Sequence, residues 1–191
     1  MHGYNLHNNN RRLFQLKFSK IYRVLTIRVL MQVSNVVIKP LEPFLRWAGG
    51  KRWLVNKKNQ ITPTKFNTYF EPFLGSAAVF FSLPKTSFVI SDINADLINC
   101  YIAIKNNHQE IESLLREHQS KHCPDYYYQI RNSQPIEEQT KVARFLYLNR
   151  TCFNGFYRVN KKGEFNVPIG IRNNAFLDKD NFRALADAMK K

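Results

Sequence analysis

Residues 68–93 read TYFEPFLGSAAVFFSLPKTSFVISDI, and this stretch decides the fold class of the chain. Residues 68–73 are a short apolar and aromatic run that leads into a turn at Gly75. Residues 77–83 then have a helix-compatible composition, so the segment predicts a strand, a tight turn and a helix. Residues 87–93 are a second apolar run that ends in an acid and is typical of a buried strand.

A helix signal follows the second strand. Asn94 or Asp96 stands where a helix cap is expected, and apolar residues continue at helical spacing from Leu97 to Ile104. Two strand–helix units in succession favour an α/β domain with a parallel sheet. Ligands of such domains bind beyond the carboxyl ends of the strands, which directs attention to the two turns.

The downstream sequence predicts helices and a hairpin. Pro124 is expected to prevent the helix predicted over residues 109–119 from continuing, because proline disfavours helical geometry in the residue before it. Asn154-Gly155 and Lys162-Gly163 are turn signals, so residues 156–168 predict a β-hairpin with an exposed tip. The three further helices are predicted over residues 109–119, 137–149 and 178–189.

The net charge points to a polyanionic partner. The chain of 191 residues has 29 Lys and Arg against 14 Asp and Glu, a net charge of +15. Residues 1–40 contain seven of these bases and no acid, which leaves +8 (15 − 7) for the remainder. Such a surplus attracts nucleic acid, with an ordinary solvated basic surface as the alternative. We interpret residues 1–40 as a basic N-terminal extension, with a targeting segment or a functional start at Met31 as alternatives.

The composition also indicates the cellular compartment and argues against a membrane span and a metal site. Three cysteines without CxxC spacing argue against a disulfide framework or a zinc ribbon, and they favour a reducing compartment, by default the cytoplasm. Charged residues interrupt the apolar stretch 13–33, so no uncharged run approaches the ~20 residues that span a membrane. His118 and His122 lack the further ligands of a zinc motif, so we expect no metal.

Three segments have the composition of ligand-binding loops. Residues 44–51, FLRWAGGK, combine a glycine pair with an apolar indole at Trp47 and, at Lys51, a cation suited to a carboxylate. Residues 69–77, YFEPFLGSA, put small residues between a strand and a helix. The third segment is centred on Asp92, at the end of the second predicted strand. In dinucleotide-binding sites an acid ~20 residues beyond the turn bonds a ribose hydroxyl, and Asp92 follows the turn at a similar distance. The structural alternatives are a glycine turn beside a core tryptophan and a helix cap at Asp92.

Four blocks together resemble the Dam-type DNA adenine methyltransferases. FLRWAGGK, YFEPFLGSAAVFF, ISDINADLINCY and FLYLNRTCFNGFYRVNKKGEFNVPIG occur in the family's order across residues 43–190. The resemblance implies a Rossmann-like, S-adenosylmethionine-dependent methyltransferase fold with an incomplete sheet. It further implies an inserted helical and β-hairpin segment that reads DNA, and transfer of a methyl group from S-adenosylmethionine to adenine N6 in duplex DNA.

The same resemblance implies the residues of two sites. Trp47 and Lys51 line the S-adenosylmethionine site, with Lys51 near the cofactor carboxylate, and Asp92 meets the ribose hydroxyls. The implied cofactor-binding loop contains Glu71, Pro72, Phe73 and Gly75. The implied DNA-reading segment contains Asn149, Arg150, Phe153, Asn154, Phe156, Arg158, Asn160 and Pro168.

The residue types of this segment suit DNA reading. An aromatic such as Phe153 can wedge into a base stack, and Arg158 on a projecting hairpin can donate to guanine O6 and N7. Lys161 and Lys162 would neutralise phosphates, which adds affinity without sequence information. An ordinary solvated turn is the alternative for the two lysines.

Two departures from the family pattern affect the expected activity. Ala77 stands where the family commonly has a second glycine, in its EPFxGxG turn. The Asp-Pro-Pro-Tyr motif, which the family carries after the DNA-reading segment, does not occur among the 191 residues. That motif holds the extruded adenine, so we expect cofactor or DNA binding with little turnover, and we assign no catalytic residue. We also expect part of the sheet's apolar face to be uncovered.

The predicted organisation has four parts, with two functional alternatives. The parts are the extension 1–40, a cofactor-binding α/β part 41–108, a DNA-recognition segment 109–177 and a C-terminal helix 178–191. Double-stranded DNA is the expected partner, with a restriction endonuclease or a second chain supplying the missing motif as further possibilities. One alternative function is a non-catalytic DNA-binding protein that occupies or masks sites. The other alternative is a nicotinamide-dependent dehydrogenase. The position of Asp92 fits such an enzyme, but the sequence lacks the GxGxxG motif of its cofactor site.

Overall fold

The structure, a computed structural model, describes residues 41–57, 60, 62–63, 65–84, 86–177 and 180–190. The described residues belong to one compact unit that begins at residue 40. The predicted basic extension, residues 1–40, lies outside the described residues. None of the helices in the described part of the chain has both the length and the apolar composition of a membrane span.

Helices dominate the architecture, which also contains a small two-stranded sheet. In chain order the elements are helix α1 (Arg52–Val55), strand β1 (Thr68–Glu71), a 3₁₀ turn (Phe80–Ser82), strand β2 (Ser87–Ile90), helix α2 (Ala95–Ser120), helix α3 (Pro124–Asn132), helix α4 (Glu138–Thr151), a second 3₁₀ turn (Phe153–Gly155) and helix α5 (Phe182–Ala188).

Strands β1 and β2 pair in parallel, which confirms the pairing that the α/β prediction requires. Hydrogen bonding continues past the strands, since Ser91 N–H donates to the Glu71 carbonyl at 3.0 Å and Leu74 N–H donates to the Ser91 carbonyl at 2.9 Å. The two turns beyond the strands are therefore fixed to each other. On the outer face, Phe70 and Val89 lie opposite each other and are exposed, as expected for a sheet with an uncovered face.

The helix predicted over residues 77–83 is absent. Its place is taken by the 3₁₀ turn Phe80–Ser82, which ends at an extended Leu83. Ala77 has a φ of 56°, in the left-handed region that interrupts a right-handed helix. The apolar residues of this segment are instead buried in the core. Their apolar composition reflects this burial and does not indicate a helix.

Helix α2 combines two helices that the sequence predicts separately. Asn94 is its cap, because the Asn94 side-chain oxygen accepts a hydrogen bond from Leu97 N–H at 2.9 Å. The helix kinks at Asn107, where φ is −147°. The Asn107 side chain donates to Glu110, and such local bonds compete with the helical backbone ladder.

Helix α3 is not anticipated by the sequence analysis. Pro124 does separate it from α2, as predicted, but the same proline also begins α3, where its missing N–H has no intrahelical partner to lose. Helix α4 begins one residue after the predicted start and ends at Thr151, two residues later than predicted. Helix α5 is shorter than the predicted 178–189.

One hydrophobic core joins the two predicted parts of the chain. Helix α2 packs against α4 and α5, and both 41–108 and 109–177 contribute buried side chains. The predicted boundary at residue 108 falls inside α2, beside its kink. The largest fully buried apolar side chains include Leu45, Leu97, Ile104, Leu115, Tyr127, Leu146 and Phe182.

The hairpin predicted over residues 156–168 is present without continuous strands. Its arms meet at one antiparallel bridge, between Val159 and Phe165. Beyond it, Asn160 N–H donates to the Glu164 carbonyl at 2.9 Å and Gly163 N–H donates to the Asn160 carbonyl at 3.0 Å. These bonds close a tight tip, at which Lys161 and Lys162 are exposed.

Candidate functional site

Asp92 holds together the two turns at the carboxyl ends of β1 and β2. Its Oδ2 accepts a hydrogen bond from Gly75 N–H at 2.9 Å, and its Oδ1 accepts one from Asn94 N–H at 3.0 Å. Tyr101, on α2, donates its hydroxyl to the Gly75 carbonyl at 2.8 Å. Asp92 thus orders the turn while Asn94 caps the helix. Each Asp92 oxygen retains a lone pair with which it can accept a further bond from a ligand.

Trp47 lies against the turn at Gly75. A Cβ at Gly75 would be 3.2 Å from Trp47 Cδ1, and Gly75 has a φ of 53°. Both the close approach and the left-handed backbone favour glycine. Gly50 N–H donates to the Trp47 carbonyl at 3.0 Å, which closes a turn and leads the chain back to Lys51.

Lys51 and Glu71 form an ion pair at the end of β1. Lys51 Nζ lies 3.4 Å from Glu71 Oε1 and also donates to the Phe73 carbonyl. Glu71 is only 5% exposed, and its Oε2 is a buried side-chain oxygen with no hydrogen-bond partner among the described residues. Because an unpaired buried oxygen costs free energy, Glu71 is suited to accept a hydrogen bond from a positively charged ligand group.

The structure brings five of the seven predicted cofactor residues together as described above: Trp47, Lys51, Glu71, Gly75 and Asp92. Pro72 and Phe73 differ from them, because their side chains are exposed, Phe73 by 75%. They contribute through the backbone, since the Pro72 carbonyl accepts from the Ser91 hydroxyl at 3.3 Å and the Phe73 carbonyl accepts from Lys51.

The base of the hairpin is fixed to the end of α4. Phe153 N–H donates to the Pro168 carbonyl at 2.9 Å, and Gly170 N–H donates to the Thr151 carbonyl at 2.8 Å. Cys152 and Ile169 form an antiparallel bridge between these bonds. The predicted DNA-reading residues therefore extend from a rigid helix rather than from a free loop.

An apolar cleft lies at the base of the hairpin. It has a volume of about 430 Å³, and its lining includes Phe153, Phe156 and Pro168. Phe153 is 51% exposed and Phe156 is 48% exposed, while Asn154 turns the chain between them with a φ of 55°. Exposed aromatic faces on a fixed turn are suited to stacking against nucleic-acid bases.

Arg158 is oriented by its neighbour across the hairpin. Its Nε donates to Asn166 Oδ1 at 2.7 Å, and its Nη2 donates to the Asn166 carbonyl at 3.3 Å. The side chain is exposed, and neither of these two hydrogen bonds uses Nη1. A guanidinium held in this way retains donors for a base edge.

Arg150 does not belong to the DNA-reading surface, contrary to the prediction. It is 6% exposed, and its five N–H donors are all directed inside the protein. They bond the carbonyls of Phe44 and Ala175, both at 2.9 Å, and the carboxylate of Asp180. Because a buried charge requires such partners, Arg150 supports the hairpin from within.

Asn149 is also buried rather than exposed to DNA. Its Oδ1 accepts a hydrogen bond from Arg46 N–H at 3.0 Å, and its Nδ2 donates to the Arg46 carbonyl at 2.9 Å and to the Gly155 carbonyl at 3.3 Å. A Cβ at Gly155 would be 2.5 Å from Arg46 Cδ, so the glycine permits this contact. Asn149 and Gly155 thereby connect the segment of Trp47 to the hairpin base.

Asn160 is exposed and shapes the hairpin tip with its side chain. Its Oδ1 accepts hydrogen bonds from Lys162 N–H at 2.9 Å and from Glu164 N–H at 3.0 Å, while its Nδ2 donates to Glu164 Oε2 at 2.8 Å. One Nδ2 hydrogen of Asn160 is not used by these bonds and can still be donated to a ligand. Lys161 and Lys162 remain exposed at the tip.

Tyr157 is a site residue that the sequence analysis missed. Its ring stacks on Trp47, with centroids 5.3 Å apart and planes at 27°, and its hydroxyl donates to Asp96 Oδ2 at 2.9 Å. Burial and the hydrogen bond to Asp96 raise the pKa of Tyr157 to about 12, so it is a protonated donor at neutral pH. The available signal was alternation, because Phe156 and Arg158 are exposed on either side of a half-buried Tyr157.

Residues 47–191 match the family of D12 class N6 adenine-specific DNA methyltransferases, and the chain belongs to this family. It is 40% identical over 154 residues to the type II methyltransferase M1.LlaDCHI of Lactococcus lactis subsp. cremoris, covering 77% of this chain and 54% of the relative. It is 39% identical over 172 residues to the type II methyltransferase M.MjaIII of Methanocaldococcus jannaschii, covering 78% and 60%.

The DNA adenine methylase of Haemophilus influenzae is a further relative, 37% identical over 155 residues, covering 75% of this chain and 52% of the relative. The chain thus spans about half the length of the curated relatives that it matches. The family and these relatives confirm the resemblance on which the sequence analysis relied. They also explain the parallel strands at the candidate site as part of a methyltransferase fold.

Proposed function

We propose that this chain holds S-adenosylmethionine at the Gly75 turn and duplex DNA at the hairpin, as part of an enzyme that methylates adenine N6. One observation carries the proposal: an indole, a cation and a buried carboxylate with an unpaired oxygen meet where two parallel strands end. Ligands of α/β sheets bind at this edge. Family membership gives the reaction class.

The chemistry of the site fits the amino-acid end of S-adenosylmethionine, which has a carboxylate and an ammonium group. Lys51 provides a positive charge for the carboxylate, and Glu71 Oε2 provides an acceptor for the ammonium. Asp92 has remaining lone pairs for ribose hydroxyls, and Trp47 offers an apolar face. When bound, S-adenosylmethionine supplies a methyl group activated by its sulfonium.

The hairpin fits duplex DNA through three kinds of contact. Lys161 and Lys162 supply positive charge at the tip for phosphates. Arg158 supplies guanidinium donors for a guanine edge, a contact that discriminates between bases by about 1–3 kcal/mol. Phe153 supplies an aromatic wedge for a base stack, which suits an enzyme that must take adenine out of the duplex.

The proposal includes a cytoplasmic location. Cys100, Cys123 and Cys152 are all free thiols. Unpaired thiols persist in reducing compartments, and a DNA substrate suits the same location.

Calorimetric titration with S-adenosylmethionine tests the cofactor part of the proposal. Saturable binding is expected for the 191-residue chain, weakened about tenfold or more by Trp47→Ala, which removes the apolar face. Trp53→Ala is the matched control, because Trp53 is 64% exposed on α1 and its loss should leave the affinity unchanged. Equal affinities for both variants would contradict the site. A folded chain that binds DNA but no cofactor would favour the non-catalytic DNA-binding alternative.

A further inference from the structure

We propose that Tyr157 is a positioning residue that couples the two sites, so that DNA at the hairpin and cofactor at the Gly75 turn strengthen each other's binding. The inference rests on the proposed function and goes beyond it, because two separate sites do not require coupling. Tyr157 belongs to the hairpin, whereas Trp47, on which it stacks, belongs to the candidate cofactor site.

Trp47 is in contact with both sites. On one side its indole lies so close to the Gly75 turn that a Cβ there would be 3.2 Å from Trp47 Cδ1. On the other side the ring of Tyr157 stacks on it, with centroids 5.3 Å apart. A change in the position of the hairpin arm therefore reaches the indole directly, without an intervening residue.

Tyr157 is held firmly enough to transmit such a change. Its hydroxyl donates to Asp96, in the first turn of α2, at 2.9 Å. Its ring also packs against Phe145, with centroids 5.4 Å apart, and against Phe165 of the opposite hairpin arm, at 6.1 Å. The indole and the hairpin thus share one aromatic cluster, and the hydrogen bond to Asp96 connects that cluster to the start of α2.

A second connection joins the same segments at the backbone. Asn149 bonds both the N–H and the carbonyl of Arg46, the residue before Trp47, and also the Gly155 carbonyl at the hairpin base. Asn149 fixes the base of the hairpin relative to residue 46, whereas Tyr157 links its arm to the indole. Removing Tyr157 should therefore break the coupling while the hairpin stays attached.

The physical consequence is a reciprocal change in affinity. A ligand that stabilises one position of the Tyr157–Trp47 pair favours the binding-competent position for the other ligand. The factor by which cofactor strengthens DNA binding must equal the factor by which DNA strengthens cofactor binding, and such factors are typically about 5–150-fold. The ratio of the DNA dissociation constants measured without and with cofactor, rather than either affinity alone, therefore tests the coupling role of Tyr157.

The test measures the ratio with defined probes. Dissociation constants for a pool of adenine-containing duplex oligonucleotides are determined for the 191-residue chain with and without saturating S-adenosylhomocysteine. The expected ratio is about fivefold or more for the native chain. Tyr157→Ala should reduce the ratio towards one, and Tyr157→Phe, which keeps the ring stack but loses the hydrogen bond to Asp96, should reduce it less. A ratio that is the same in all three chains overturns the inference.

A spectroscopic measurement avoids dependence on the stability of Tyr157→Ala. The chain has two tryptophans, so Trp53→Phe leaves Trp47 as the sole indole emitter. Adding DNA to that variant, with Tyr157 intact, should shift or quench Trp47 emission. An unchanged emission at saturating DNA contradicts coupling through the stack.

Failure of the inference and failure of the proposed function have different signatures. Binding of both probes with independent affinities overturns the coupling and leaves the proposed function intact. Absence of binding for either probe, in a chain shown to be folded by circular dichroism, overturns both.

Discussion

Ala77 adopts a backbone conformation that suits glycine. Its φ is 56°, and its side chain is fully buried in the turn that follows Gly75. A left-handed conformation costs a non-glycine residue about 1–2 kcal/mol, and replacement by glycine removes this cost. Part of the stabilisation is offset because glycine has more conformational freedom in the unfolded chain. Ala77→Gly should therefore raise the free energy of unfolding by up to about 1 kcal/mol, measured by urea denaturation.

The neighbouring alanine provides the control for this prediction. Ala78 is buried as well, but it does not have a positive φ. Ala78→Gly should lower the free energy of unfolding by about 0.5–1 kcal/mol. The same sign of change in both variants would contradict the strain assigned to Ala77.

Asn149 satisfies three backbone groups from a buried position, so its removal should be costly. Asn149→Ala removes two part-buried hydrogen bonds to Arg46 and one buried hydrogen bond to Gly155, each with a net contribution of about 1 kcal/mol. The free energy of unfolding should fall by at least about 2 kcal/mol in denaturant titrations. Val159→Ala, at an exposed hairpin position, is the comparison and should cost less than about 0.5 kcal/mol.

Sequence alone located the candidate site better than it assigned the roles of single residues. Trp47, Lys51 and Asp92 come from separate sequence blocks, and the structure brings them to the same turn, as the family order of the blocks predicts. The burial of Arg150 and Asn149 could not be predicted from the same blocks. A polar side chain near a turn can bond the backbone or face solvent, and only the fold around it decides between the two.

At the scale of an element, the hairpin should bind DNA partly through unspecific charge. Each lysine that neutralises a phosphate adds about 0.9 to the slope of log affinity against log salt concentration. Lys162→Ala at the tip should reduce that slope by about one and weaken binding to all duplex sequences alike. Lys105→Ala, an exposed position on α2, is the charge-matched control and should leave the slope unchanged.

The end of α2 should make folding stability depend on pH. His118 is buried, stacks on Tyr147 and bonds the Tyr126 hydroxyl at 2.8 Å. Burial lowers the pKa of His118 to about 4, opposed by Glu117 and assisted by Lys121. The unfolded chain binds this proton more readily, near pH 6.5, so the free energy of unfolding should fall by up to about 3 kcal/mol between pH 6.5 and pH 4.

Denaturant titrations across this pH range measure the effect. His118→Gln should flatten the decrease, because the titrating group is gone. His108→Gln, on the same helix, should retain it. A decrease of equal size in the His118→Gln chain would show that other groups are responsible.

The elements themselves were predictable where local signals agreed with tertiary packing. Strand β2 and the Asn94 cap of α2 follow from apolar runs and a capping residue. The helix predicted over residues 77–83 is wrong, because buried apolar residues have the same composition in a helix and in a compact turn. Helix α3 was missed because Pro124 both ends one helix and begins another.

At the scale of the whole molecule, one core supports both candidate sites. Arg150 bonds Phe44 at one end of the described chain and Asp180 near the other, and it lies in α4, which carries the hairpin. Breaking such a buried ion pair from one side costs about 3–5 kcal/mol. Arg150→Met should therefore destabilise the whole compact unit, measured by thermal denaturation, rather than reduce DNA affinity selectively.

The most direct test of the central claim is hydrogen–deuterium exchange with each ligand in turn. Bound S-adenosylmethionine should slow exchange of backbone amides in residues 45–51, 73–77 and 92–95, where the indole, the Gly75 turn and Asp92 meet. Bound duplex DNA should slow exchange in residues 153–168. Protection by S-adenosylmethionine that appears only outside these segments, or not at all in the folded chain, would contradict the placement of the cofactor site.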